Sequence, residues 1–393
     1  MALPLEGIKV LDLSTMLPGP FCSMILADFG AEVIKVEAVK GGDLFRGGVP
    51  KIGDTGGAFF QVNRNKKSIT LNLKSDEGKE IFYRLAKDAD VVLEQYRPGV
   101  VKKLGVDYET IRAINPKVVY CSLSGYGQTG PYRLTSGHDL NYISYAGILG
   151  LTARKGQTPT IPGVQIADIG GGALYAAIGI LIALMGVRQN GVGQYVDTSM
   201  LDGAVSWLSV LANDFFVKGV SPRAAENILN GQNACYEVYE TADGRYISIG
   251  AIEPHLWANF CNAIGREDFI QIQRDLTKQD EMFAYLRELF KSKTQAEWIE
   301  KLTGVDCCWA PVKDLEEVFS DPQVLARDMV FEMEDPQGVY GRVKEIGSPI
   351  KLSETPARRE LFPPRKGEHN SDYLRSVGYT DEDIAAFIEK GVI

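Results

Sequence analysis

The N-terminal half of the chain alternates short apolar runs with helical patterns, and this alternation restricts the fold more than any other feature. Residues 7–14, GIKVLDLS, read as a strand, and PGPFCSMILADFG as a helix that Gly30 closes. AEVIKVE and SITLNLKS read as further strands, and DEGKEIFYRLAKDA as an amphipathic helix capped by Ser75. VVLEQY and VVYCSLSGYG complete the series. Strands that alternate with helices predict an α/β fold, with a parallel sheet covered on both faces. Helical patterns follow over roughly 139–150, 168–189 and 199–218. The segment YEVYETADGRYISIGA then reads as a hairpin around Ala242-Asp243-Gly244, the start of a smaller α+β domain. The expected organisation is a large domain over 1–220, a small domain over 225–325, and a C-terminal segment, 330–393.

Charge narrows the function classes. The chain has 42 Lys+Arg against 51 Asp+Glu, a net charge of −9, and no basic block. That disfavours nucleic acid and anionic membranes as partners. Six cysteines include no CxxC pair, and three histidines cannot build a His-rich metal centre. Reduced thiols, and a start without a basic segment before its apolar stretch, predict a cytoplasmic protein. The most apolar stretch, Gly170–Val187, is at the lower length limit for a membrane span, and its Gly and Ala content reads as a core helix.

Gly125-Tyr126-Gly127-Gln128-Thr129-Gly130 matches GxGxxG literally. A dinucleotide loop opens a helix, whereas Pro131-Tyr132-Arg133 follows here, and no acidic residue stands about 20 positions on. A tight glycine turn is expected.

Three residues can carry chemistry. His138, in Ser136-Gly137-His138-Asp139, stands where a loop enters a helix, so free backbone N–H groups can receive an oxyanion nearby. Asp168 begins an apolar run, and the three glycines after it, Gly170–Gly172, suggest room for a ligand. Glu253 follows the hairpin in Ala251-Ile252-Glu253-Pro254. Taken singly, each fits an ordinary cap or a solvated loop. A histidine and a carboxylate together suit two-base proton transfer, and the carboxylate alone suits nucleophilic attack on an acyl group.

The chain resembles the class III (CaiB/BaiF-type) CoA-transferase superfamily, and within it most of all the α-methylacyl-CoA racemases. The resemblance runs from PLEGIKVLDLSTMLPGPFCSMILADFGAEVIKVE through NPKVVYCSLSGYGQTGPY and DIGGGALYAAIGILIAL to ADGRYISIGAIEP. It implies a Rossmann-like large domain to which the C-terminal segment returns. It also implies an interlocked homodimer, with pairing to a paralogous chain left open. The substrate is an acyl-CoA thioester, with no metal or prosthetic group. By resemblance His138 and Asp168 are the acid/base pair at the α-carbon, Glu253 orients His138, and the Asp139 N–H supports the enolate oxygen. The transferases share Asp168, as a nucleophile that forms an aspartyl-CoA thioester. Their glycine-rich loop is replaced here by Asn227–Ala234, which favours the racemase reading. The insertion between Gly41 and Ser68 and the segment GSPIKLSETPA are transferase-like, and keep that alternative open. Leu71, Lys74, Gln95, Tyr96, Arg97 and Lys103 match the family's nucleotide cleft, with Lys40 as a further phosphate contact in place of the arginine that Ala38 replaces. Arg46 and Arg64 are candidates for a second carboxylate on a dicarboxylic acyl group.

Overall fold

A computed structural model describes residues 1–393. The chain divides into two units. The first holds residues 1–146, 163–207 and 322–393; the second holds 147–162 and 208–321. Residues 147–162 and 208–220, expected in the large domain, belong to the second unit. Their bonds explain it: Arg154 Nη2 donates to Val238 O (3.4 Å), and Asn227 Nδ2 to Asp214 Oδ2 (3.1 Å).

The first unit is built on six parallel strands: β1 (Lys9–Asp12), β2 (Glu32–Glu37), β3 (Lys66–Thr70), β4 (Val91–Glu94), β5 (Val119–Ser124) and β6 (Tyr195–Ser199). Their spatial order is β3-β2-β1-β4-β5-β6, the doubly wound arrangement. All residues of β4 and β5 are buried, as expected of strands covered on both faces. The strand order reverses between β1 and β4, the position at which doubly wound folds hold a ligand in a crevice beyond the strands' C-terminal ends.

Helix α1 (Pro18–Asp28) follows β1, and α2 (Asp76–Ala86) follows β3, with Ser75 Oγ accepting from Gly78 N. Ile81, Phe82 and Leu85 of α2 pack on Leu11, Ile34, Ile69 and Val92 of the sheet. The C-terminal segment joins this core through Tyr373, Leu374, Ile384 and Phe387. Thr70 N bonds to Asn370 Oδ1 (2.8 Å) and Asn72 N to Val392 O (2.7 Å), which ties 370–393 to the end of β3.

Beyond β5 lie α3 (Asp139–Tyr145), a π-helix (Ile166–Ala173) that runs into α4 (Leu174–Asn190), and α5 (Met200–Ser206). Sequence periodicity predicts single helices over 139–150 and 199–218; both are broken, the first at Gly147 with φ 81°. The 25 residues Ile166–Asn190 are long and apolar enough to cross a membrane; about half of their most apolar window is buried, and Ile178, Ile182 and Met185 are exposed, so the helix is only half covered.

The second unit carries an antiparallel sheet of β7 (Tyr236–Glu240), β8 (Tyr246–Gly250) and β9 (Trp309–Pro311), with β8 central. Trp257, Phe260, Phe290 and Trp298 fill the core against it.

Candidate active site

His138 is the N-cap of α3, with extended backbone (φ −126°, ψ 177°), and its N–H donates to Asn141 Oδ1 at 3.1 Å. Asp139 is therefore the first helical residue, where an N–H has no intrahelical acceptor. Its side chain makes a connection that sequence reasoning missed. Asp139 Oδ1 accepts from Ala167 N (2.6 Å) and Asp168 N (2.9 Å). One carboxylate thus caps the π-helix that carries Asp168 and fixes it to the residue beside His138. π-Helical turns concentrate at functional sites because they re-aim side chains out of the α register.

Electrostatics follow from this geometry. Burial pushes the Asp168 carboxyl up to about 6, the Asp139 charge adds to the rise, and His138 opposes it. The histidine and the two carboxylates therefore share one neighbourhood. Tyr142 stands behind them and donates to Gly137 O at 2.6 Å. Burial pushes its hydroxyl up to about 12, with Asp168 and Asp139 raising it and Arg97 lowering it. Arg97 of the crevice thus lies within electrostatic reach of the site.

The three glycines after Asp168 do not leave room for a ligand. A methyl group on Gly170 would meet the Trp207 ring at 2.1 Å, and one on Gly171 would meet Met200 O at 2.7 Å. On Gly172 it would meet Met200 Cγ at 2.8 Å, and on Gly203 of α5 it would meet Gly171 O at 1.9 Å. The glycines let α5 press onto the π-helix backbone, and they hold Asp168 in place by close packing.

The Gly125–Gly130 loop is a turn in which Gly127 (φ 84°) and Gly130 (φ 80°) take left-handed conformations. No helix opens until Asp139. At α1, where a Rossmann fold offers free N–H groups to phosphate, Pro18 and Pro20 have none, and Gly19 N is spent on Gln95 Oε1 (2.8 Å).

The expected nucleotide residues fall into three kinds. Gln95, Tyr96 and Arg97 stand just past β4, at the crevice; Tyr96 N donates to Glu94 Oε2 (2.7 Å), while Ser122 donates to Glu94 Oε1. Burial pushes the Glu94 carboxyl up to about 7. Lys74, Arg97 and Lys103 are exposed and lie within ion-pair distance of no carboxylate, so they fit an anionic group such as phosphate. Leu71 differs: its side chain is buried in the core, so a ligand could reach only its backbone. Lys40 is exposed.

Arg46 and Arg64 are corrected. Arg46 holds Glu37 with two bonds (2.7 and 2.8 Å) and lies over the Phe59 ring. Arg64 is buried against Asp28 (2.7 Å) and Glu345 (3.1 Å). Both cations are consumed internally, so neither can recognise a carboxylate of a ligand. Glu253 is exposed in the second unit, as N-cap of the helix Pro254–Ile264.

Residues 5–370 match the model of CoA-transferase family III. An α-methylacyl-CoA racemase of Mus musculus is 35% identical, over 97% of this chain and 95% of its own length. The succinyl-CoA:glutarate CoA-transferase of Homo sapiens is 34% identical, over 99% and 90%. An acyl-CoA transferase of Fusarium pseudograminearum is 36% identical, over 99% and 88%. Among solved structures, a CAIB/BAIF family protein from Brucella suis superposes with a TM-score of 0.84 at 31% identity, covering 96% of this chain and 100% of that one. These racemase and CoA-transferase relatives are 34–36% identical, and the sheet order and the match along nearly the whole sequence agree: the chain belongs to the CoA-transferase family III.

Proposed function

We propose that the protein inverts the α-carbon of a 2-substituted, 2-methylacyl-type CoA thioester by proton transfer between two unlike bases. The observation that carries this reading is the Asp139 bridge, which puts His138 and Asp168 in one electrostatic neighbourhood. A nucleophilic transferase needs Asp168 alone, and the neighbouring histidine gives the site its second base.

In one direction the Asp168 carboxylate takes the α-proton and its electron pair moves into an enolate. His138, as imidazolium, returns a proton to the opposite face; in the other direction the roles exchange. A thioester α-proton is weakly acidic, so the enolate oxygen needs a donor, and the Asp139 N–H at the start of α3 supplies it. An acid near 6 is close to the operating pH, where acid–base catalysis is most efficient. Glu253 orients the His138 imidazole, a role that rests on the resemblance alone. Lys74, Arg97 and Lys103 pair with the CoA phosphates, and Gln95 and Tyr96 line the crevice; Leu71 contributes backbone. No metal or prosthetic group enters.

The active form is proposed to be a homodimer. Within the first unit, α4 turns Ile178 (49% exposed), Ile182 (66%) and Met185 (53%) to solvent, an apolar stripe suited to a second copy.

The second reading is CoA transfer through an aspartyl-CoA thioester on Asp168, favoured by relatives of both activities at 34–36% identity. The test is mass spectrometry of a 2-methylacyl-CoA in D2O without an acceptor acid. Uptake of one deuteron at the α-carbon, lost in Asp168→Ala, supports the isomerase. No uptake, with CoA moving onto an added carboxylate, moves the assignment to transferase.

A further inference from the structure

Tyr126 follows β5 in the glycine turn, is 8% exposed, and its hydroxyl is buried without a hydrogen-bond partner. Its ring is well placed. It meets Tyr142 edge-on (5.1 Å between centroids, 80°) and Tyr145 likewise (5.6 Å, 89°), and lies 6.0 Å from Tyr132. A phenylalanine would make the same ring contacts without burying an unpaired donor, which costs about 1–3 kcal/mol. Burial and the nearby Tyr145 hydroxyl raise its pKa, so the group stays a donor at neutral pH.

The hydroxyl adjoins Gly137, the residue before His138. A methyl group on Gly137 would stand 2.9 Å from Tyr126 Oη and 2.7 Å from the Tyr142 ring. On the other side, Tyr142 Oη already holds Gly137 O at 2.6 Å. Gly137 is therefore clasped by two tyrosines, of which one is bonded and the other is not. Upstream, Pro131–Ser136 are all exposed, with the Tyr132 ring against Tyr126 and Tyr145 (4.8 Å) and Thr135 N bonded to Tyr132 O (2.8 Å).

We infer that Tyr126 is a positioning residue for His138: its hydroxyl fixes the Ser136–Gly137–His138 backbone when the acyl-CoA is in place. This rests on the isomerase reading, because a transferase would not use His138. Tyr126 touches no reacting atom. It holds the imidazole at the face of the α-carbon opposite Asp168, whose own position depends on separate contacts with Asp139 and α5.

The test separates the two faces. Each enantiomer of a 2-methylacyl-CoA presents its α-hydrogen to one base, and His138→Ala identifies the enantiomer that Asp168 serves by sparing its exchange in D2O. Tyr126→Phe is expected to slow exchange of the enantiomer served by His138 about tenfold or more, as a misplaced base does. Exchange of the other enantiomer, and KM for both, should be unchanged, and the melting temperature should hold or rise. Equal slowing of both faces, no slowing, or a lower melting temperature would overturn the inference. No exchange by the wild-type enzyme from either enantiomer would instead overturn the isomerase reading, and this inference with it.

Discussion

The segments that carry His138 and Asp168 differ in how firmly they are held. Asp168 sits in a π-helix whose three glycines are buried under Trp207, Met200 and the backbone of α5, with its first N–H groups bound by Asp139. His138 is exposed at the end of an exposed loop and is held through its neighbours Gly137 and Asn141. Asp168 is set by the fold, whereas the exposed His138 is held by its backbone neighbours alone. The contrast has a chemical reason. A carboxylate must be raised toward neutrality to work as an acid and a base, and burial does this.

The most severe way to break the contrast is to remove the fixed base. Asp168→Ala should lower turnover by at least about a thousandfold in steady-state assays, whether the chemistry is proton transfer or nucleophilic attack. Packing comes next. Gly203→Ala would place a methyl group 1.9 Å from Gly171 O, where backbone meets backbone and neither can yield. A loss of about 3 kcal/mol or more is expected in urea unfolding. Gly130→Ala, with open space but φ 80°, should cost about 1 kcal/mol.

Smaller changes sharpen the electrostatic side. Asp139→Asn keeps an oxygen acceptor for Ala167 N and Asp168 N but removes the negative charge that helps raise Asp168. The acidic limb of kcat/KM, expected near pH 6 where Asp168 is the base, should move to lower pH by up to about one unit. Asp168→Asn tests the same burial by stability. The folded state raises this carboxyl from 3.8 to about 6, so it binds the proton more tightly than the unfolded chain does. The resulting stability is full below pH 4 and is lost as pH rises through 6. The melting temperature of Asp168→Asn relative to wild type should therefore improve from pH 4 to pH 7, by a few degrees.

The same contrast marks how far the sequence alone can be read. The strand–helix alternation was plain, because fully buried parallel strands need continuous apolar runs such as VVLE. The grouping of His138, Asp139 and Asp168 was visible only through the family resemblance, since spacing in a string does not reveal which loops converge. Gly170–Gly172 were misread as ligand space because small residues look alike whether a ligand or another helix presses on them. The Asp139 side chain was missed for a related reason: an acid at the start of a helix usually serves its own helix, and this one serves the next. Arg64 pairs with Asp28 and Glu345, 36 and 281 residues away, and Arg46 pairs with Glu37 rather than with the nearer Asp43, so sequence order does not betray either pairing.

The most direct test of two unlike bases follows one pure enantiomer of a 2-methylacyl-CoA by chiral separation, without an acceptor acid, in the wild type and in His138→Ala. The expected result is inversion by the wild type and none by the variant, which still exchanges the α-hydrogen of the enantiomer facing Asp168. No inversion by the wild type, together with CoA transfer to an added carboxylate that His138→Ala performs equally well, would contradict it.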